Sequence, residues 1–225
     1  ESALNALWKY NFAPDAGGYA IKHTVIKGHR VYAEPGEAGL VMTTWPRGGD
    51  ELAVPGMENR QEDFIHWIGP GGYFDECMSG FEYQVAAHMI YEGMPGSELV
   101  MQGLAIARAV HDRYAAAKRN PFNEIECSDH YARAMAVYGV FLATCGYEYH
   151  GPHGRISFTP RLTPENFRCP FTAAEGWGTF SQSRKGRAQT NEVEIKWGRL
   201  CLKTMAFELP QGATLKSSTV LIGAR

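Results

Sequence analysis

The 225-residue chain lacks the features that mark several large classes of protein. Its charges nearly cancel, with a formal net charge of −2, so nothing in the composition points to nucleic acid or an anionic membrane as a partner. No apolar run approaches the roughly 20 residues that a transmembrane helix needs. The five cysteines are scattered and odd in number, which argues against a disulfide framework and favours a soluble protein of the cytoplasm.

Sequence motifs of common cofactor and nucleophile sites are also absent. There is no Gly-x-Gly-x-x-Gly or phosphate-binding loop, and no Gly-x-Ser-x-Gly elbow. His130, His150 and His153 do not have the spacing of zinc ligands. Cys127 lies among acidic residues, which disfavour the thiolate that a nucleophile needs. We therefore expect neither a cofactor nor a metal ion.

The first two thirds of the chain combine an irregular stretch with helical periodicity. Residues 13–75 are rich in glycine and proline, and we interpret them as functional loops and hairpins. Apolar spacing predicts helices over residues 2–12, 79–91, 97–118 and 129–145. The last of these is apolar nearly all round, so we expect it to be buried among other helices. Because the sequence opens with Glu1 inside a predicted helix, we expect the chain to be a fragment.

From residue 147 onward the hydrophobic period changes to two, which is typical of strands. Strands are predicted over residues 156–158, 179–181, 192–197, 200–207 and 217–222. Residues 193–200 are predicted to form a hairpin, and residues 184–187 a turn between strands. The sequence therefore predicts an α+β protein with a helical domain over residues 1–146 and a small antiparallel β module over residues 147–225.

The most unusual part of the sequence is the polar segment of residues 123–133, between two apolar helices. Asp129 and Arg133 are spaced i, i+4, so on one helix they would share a face and could pair. Arg133 would lie one turn into an apolar helix, where an unpaired charge is strongly disfavoured. An arginine with carboxylate partners at such a place is typical of a polar pocket, although N-capping by Ser128 or Asp129 would also explain these charges.

A second cluster, residues 72–83, mixes acidic and aromatic side chains. Asp75 and Glu76 precede a predicted helix, whose N-terminal dipole favours negative charge. Capping explains one of these acids, but not both together with Glu82 and the aromatic residues. Sugars are bound by charged groups that hydrogen-bond their hydroxyls and by aromatic faces that stack on the C–H surface of the ring. Both clusters supply that mixture, which indicates a sugar-binding protein.

Three stretches of the chain carry a resemblance to a known family. Residues 74–86, Phe-Asp-Glu-Cys-Met-Ser-Gly-Phe-Glu-Tyr-Gln-Val-Ala, match a pattern of the form Glu-Cys-(Trp/Met)-(Ser/Thr)-Gly-x-Glu-Tyr-x-Val-Ala. Residues 111–114, His-Asp-Arg-Tyr, resemble a Tyr-Asp-Arg-Tyr helix, and Glu124 with Arg133 forms a Glu-x8-Arg element. In this order they resemble glycoside hydrolase family 116, which includes the non-lysosomal glucosylceramidases and bacterial β-glucosidases. The resemblance covers residues 2–146, and the β-rich remainder resembles an extension of bacterial members.

The resemblance implies a fold, a reaction and a set of roles. The family's catalytic domain is an (α/α)6 toroid, of which residues 1–146 would form the C-terminal part. Its reaction is retaining hydrolysis of β-glucosides by a Glu nucleophile and an Asp general acid/base. Both lie upstream of the matched region, so we expect no catalytic residue in this chain. Glu124 and Arg133 match positions that hydrogen-bond glucose hydroxyls in the −1 subsite, Glu76 falls near that pocket, and we expect Asp129 to position Arg133.

Three hypotheses follow for the chain. The leading one is a fragment of a retaining β-glycosidase whose partners are a β-glucoside-like carbohydrate and the upstream part of the same polypeptide. The second is a non-catalytic carbohydrate-binding or scaffold module with a β-rich tail that docks a partner. The third treats the polar segment as a purely structural, ion-paired helix start.

Overall fold

A computed structural model of the chain describes residues 2–23, 33–42, 44, 77–122 and 133–223. The chain divides into two compact units, Glu1–Thr144 and Cys145–Arg225. The described part of the first unit is mainly helical, and that of the second is mainly β-strand. None of the described helices combines the length and apolar character that crossing a membrane requires.

Short elements precede two long helices in the first unit. The elements in chain order are α1 (Ser2–Asn11), β1 (Phe12–Ala13), α2 (Ala16–His23), β2 (Gly39–Leu40), α3 (Ser79–Glu92), α4 (Glu98–Arg113), a 3-10 turn (Ala134–Ala136) and α5 (Val137–Cys145). Strands β1 and β2 pair antiparallel, with Phe12 opposite Leu40. This pairing places Gly39 and Leu40 next to the residues that directly follow α1.

The core of the first unit lies around the packed helices α3 and α4. Helix α4 begins after Ser97, whose hydroxyl accepts a hydrogen bond from the Val100 amide at 3.4 Å. Gly103 allows the two helices to approach closely, because a Cβ there would lie 2.7 Å from the Ala86 carbonyl oxygen. The buried cluster consists of Leu4, Leu40, Ala86, Met89, Ile90, Leu99, Ile106, Val140 and Ala143.

The second unit contains two three-stranded sheets. Its strands are β3 (Glu148–His150), β4 (Arg155–Phe158), β5 (Asn166–Ala173), β6 (Gly176–Lys185), β7 (Ala188–Gly198) and β8 (Thr204–Phe207). In the first sheet, β4 pairs antiparallel with β3 and parallel with β8. In the second sheet, β5, β6 and β7 form an antiparallel meander.

Aromatic side chains fill the core of the second unit. Burial alternates along β5, so that Phe167 and Phe171 are buried while their neighbours in sequence are exposed. The rings of Phe158 and Phe180 stack with centroids 4.0 Å apart, and Phe207 continues the stack at 5.9 Å from Phe180. The period of two therefore marks real strands with one buried face.

The predicted (α/α)6 toroid was wrong. The described residues form five α-helices and three small sheets, an α+β arrangement rather than a ring of helical hairpins. Helical periodicity identifies the apolar face of a helix but not the element that packs against it. In the first unit, Leu40 of a two-stranded sheet is one of the residues that pack against the helices. The coarser prediction of an α+β protein is compatible with this structure.

The element predictions differ from the structure in several places. The helix predicted for residues 129–145 begins in its described part only after Arg133, whose backbone is not helical (φ −122°, ψ 26°). It is not enclosed either, since Met135 and Tyr138 are 76% and 56% exposed. The hairpin predicted at residues 193–200 was wrong, because β7 continues to Gly198 and the hairpin turn lies at Gly186, as the turn prediction had placed it. No strand forms at residues 217–222.

Candidate functional site

The N-terminal turn of α3 is buried on one side, at Ser79 and Glu82, whereas Phe81 is 44% exposed. Cys77 and Met78 are almost fully enclosed, and Met78 is extended (φ −95°, ψ 112°) where the helix begins. Met78 contributes no side-chain cap. The described part of the aromatic and acidic cluster, residues 77–83, is therefore a packed helix start rather than a solvated one.

Glu82 and Arg113 form a buried ion pair beneath this turn, each with 1% of its side chain exposed. Arg113 Nη2 donates to Glu82 Oε2, and Arg113 Nη1 donates to Oε1 at 3.0 Å. The same Oε1 accepts the Leu40 amide at 2.8 Å, and Nη1 also donates to the Ala38 carbonyl at 2.9 Å. Desolvation acts to lower the pKa of Arg113, but the Glu82 carboxylate outweighs it and the pKa rises. The pair and its backbone contacts tie α3, α4 and the strand β2 together.

Gly39 makes room for this ion pair. A Cβ at that position would lie 2.6 Å from Cys77 Sγ and 2.8 Å from Arg113 Nη1. Distances of that kind require the neighbours to shift, and both neighbours are buried. Glycine at position 39 is therefore part of the construction of the site.

A second acid, Glu37, is buried at the end of the loop before β2. Its Oε2 accepts hydrogen bonds from Arg119 Nη2 at 2.6 Å and from the Glu34 amide at 2.9 Å. Lys118 approaches Oε1 at 3.3 Å. These contacts fix the chain just after α4, where it leads toward the polar segment at residues 123–133.

Arg133, which follows α4 in the sequence, contacts the N-terminal turn of α3. Its guanidinium is placed over the Phe81 ring, with the guanidinium carbon 5.4 Å from the ring centroid. A Cβ on Gly80 would lie 2.5 Å from Arg133 Cδ and 3.3 Å from Nη1. Gly80 and Phe81 therefore form a seat for the guanidinium, which is half-buried there.

Of the predicted site residues, the structure describes Arg133 alone; Glu76, Glu124 and Asp129 lie outside the described residues. What it brings together is Arg133 with the Gly80–Phe81 step of the other cluster. The Glu82–Arg113 pair was not predicted from the residues. A signal for it existed, because Glu82 falls on the buried side of α3, where an acid requires a cationic partner.

Both acids that are buried among the described residues are paired with an arginine. Glu82 pairs with Arg113, and Glu37 pairs with Arg119. Among the described residues, no cluster of three or more histidine, cysteine or acidic side chains could hold a metal ion. No protein-family model matches the chain, and no curated protein matches it either.

Proposed function

We propose that the chain supplies sugar-binding groups to the −1 subsite of a retaining β-glycosidase of the kind that glycoside hydrolase family 116 represents. One observation carries the proposal: the Arg133 guanidinium is seated on Phe81 and Gly80. This contact joins two of the three stretches that resemble the family, and the Glu82–Arg113 pair ties in the third. The proposal concerns the chemistry of the site and does not include the toroid.

The chemistry of the site suits the hydroxyl groups of glucose. A guanidinium carries five N–H donors in a fixed plane, and its contact with Phe81 restrains that plane. Glu124 is the proposed acceptor for hydroxyl protons, and Asp129 is proposed to position Arg133. Glu76 is proposed to lie near the same pocket, one residue before the buried Cys77.

The proposal assigns binding, not bond cleavage, to this chain. Retaining cleavage needs a nucleophilic carboxylate and a separate general acid. The stretches that resemble the family hold no counterpart of its catalytic Glu and Asp. We therefore expect no hydrolysis of an aryl β-D-glucoside by the 225-residue chain alone, and turnover by this chain would overturn the division of roles.

Turnover by the longer glycosidase that the proposal implies tests the role of Arg133. Replacing Arg133 with alanine removes charge-assisted hydrogen bonds worth about 1.5–3 kcal/mol, so kcat/KM should fall about 10- to 150-fold. Arg108→Ala is the matched control, because Arg108 is an exposed arginine paired with Asp112 on α4. Unchanged kcat/KM in a folded Arg133→Ala enzyme would contradict the assignment.

A further inference from the structure

Two tryptophans of the second unit stand exposed on one face of the β5–β6–β7 sheet. Trp177 of β6 and Trp197 of β7 are direct cross-strand partners, and they are 48% and 66% exposed. Directly opposed side chains in an antiparallel pair point to the same side of the sheet. The two tryptophans therefore form an exposed apolar surface outside the buried core of the unit.

A β-bulge places Trp197 on this face. Pairing is regular as far as Gly178 with Ile195, and then shifts so that Trp177 faces Trp197 and Lys196 has no partner in the ladder. Trp197 is three residues after Glu194, so in a strand of strictly alternating side chains the two would point to opposite sides of the sheet. The bulge therefore brings Glu194 and Trp197 onto the same face.

Two glycines and an ion pair fix the open end of the β6–β7 hairpin, where the tryptophans lie. A Cβ on Gly176 would lie 2.7 Å from the Trp197 carbonyl oxygen, and Gly198 has a left-handed backbone (φ 77°). Arg199 donates to both carboxylate oxygens of Glu175, at 2.7 and 3.0 Å, across the open end of the strands. The backbone under the tryptophans is thus closely packed at this end of the strands.

Polar groups lie beside the tryptophans on the same face. Lys196 Nζ is 2.8 Å from Glu194 Oε1, and Thr179, the cross-strand partner of Glu194, donates its hydroxyl to Oε2 at 3.4 Å. Ser181 and Ser183 continue the same face along β6, since they alternate with buried residues. The tryptophan pair is therefore bordered by an ion pair and a row of hydroxyls.

We propose that the face formed by Trp177, Trp197, Thr179, Glu194 and Lys196, here called the tryptophan platform, binds a neutral β-linked oligosaccharide. Sugars with equatorial hydroxyls present flat patches of axial C–H groups, which stack on indole rings, while their hydroxyls bond to charged and polar groups at the edge. A protein partner would need a larger apolar patch than two rings set in a polar border. The platform belongs to the second unit and the proposed Arg133 site to the first, so the inference goes beyond the proposed function.

Calorimetric titration of the 225-residue chain with cellohexaose tests the platform. The wild-type chain is expected to bind, and Trp177→Ala/Trp197→Ala is expected to weaken binding more than about tenfold. The corresponding double phenylalanine variant should retain part of the affinity, because it keeps aromatic faces. Phe122→Ala, which removes an exposed aromatic side chain of the first unit, is the matched control and should bind like the wild type.

Folding of each variant is checked by circular dichroism, and both tryptophans are exposed, so their loss should leave the unit folded. No binding of cellohexaose by the wild-type chain, or equal binding by the folded double alanine variant, would overturn the inference. A change in oligomeric mass without a change in sugar affinity would also overturn it, since the face would then contact protein. Arg133→Ala should leave cellohexaose binding at the platform intact, which separates this test from that of the proposed function.

Discussion

Glu82 and Arg113 meet below the first turn of α3, and water reaches almost none of either side chain. Burying two charges is unfavourable unless the remaining donors and acceptors are also satisfied. Here the Leu40 amide and the Ala38 carbonyl complete the arrangement. The pair therefore fixes the start of α3, which contains the residues Gly80 and Phe81 that contact Arg133.

Loss of one partner in this pair should destabilise the first unit strongly. Glu82→Gln leaves the Arg113 charge buried without a carboxylate, and we expect the free energy of unfolding to fall by about 3–5 kcal/mol. Urea denaturation followed by circular dichroism measures it. Asp112→Asn breaks an exposed pair with Arg108 on the same helix and should have little effect. Similar losses in the two variants would contradict the structural role given to the buried pair.

A methyl group on Gly80 should disturb the seat of Arg133 without unfolding the helix. Alanine is the better helix former by about 1 kcal/mol. Its Cβ, however, would lie 2.5 Å from Arg133 Cδ, so the guanidinium must move and binding of D-glucose should weaken. Gly139→Ala on α5 is the control, since its Cβ would make an ordinary 3.5 Å contact with Ala87. Equal glucose affinity in Gly80→Ala and wild type would contradict the proposed seat.

Among the elements, those with a clear period could be predicted from the sequence. The helix predicted at residues 79–91 is observed as Ser79–Glu92, and the one predicted at residues 97–118 is observed as Glu98–Arg113, capped by Ser97. Helix α2 was missed because Gly17 and Gly18 suggest a loop. At its start the Asp15 carboxylate accepts the Gly18 amide locally and the distant Gly36 amide as a tertiary contact, both at 2.7 Å. Contacts of that range leave no signal in local periodicity.

Asp15 should make stability depend on pH at the start of α2. The Gly36 amide, and then the Gly18 amide, lower the pKa of Asp15 below its ordinary value of 3.8. An acid whose pKa is lower in the folded state stabilises the fold above its unfolded-state pKa. This stabilisation is lost as the pH falls through the folded-state pKa. Unfolding measured between pH 7 and pH 2 should therefore differ between wild type and Asp15→Asn above pH 4, and the difference should shrink below it. A difference that stays constant across this range would contradict the carboxylate's role.

For the whole molecule, the sequence predicted an α+β chain with a change of period near residue 147, but assigned the wrong architecture to its helices. The apolar face of a helix does not show which element packs against it. The toroidal architecture was therefore chosen from the family resemblance, and the described elements do not form that ring. Arg133 could be singled out from the sequence, because a charge beside an apolar helix needs partners, and its role in sugar binding stays a prediction. Its seat on Gly80 and Phe81 could not be predicted, because more than fifty residues separate them in the sequence.

Titration of the 225-residue chain with D-glucose tests most directly whether Arg133 binds sugar hydroxyls. Isothermal titration calorimetry should show binding by the wild type and by the Arg108→Ala control, and at least about tenfold weaker binding by Arg133→Ala. Arg133→Lys should not restore the affinity, since an ammonium lacks the planar donor pair. Glucose affinity that is unchanged in a folded Arg133→Ala chain would contradict the central claim.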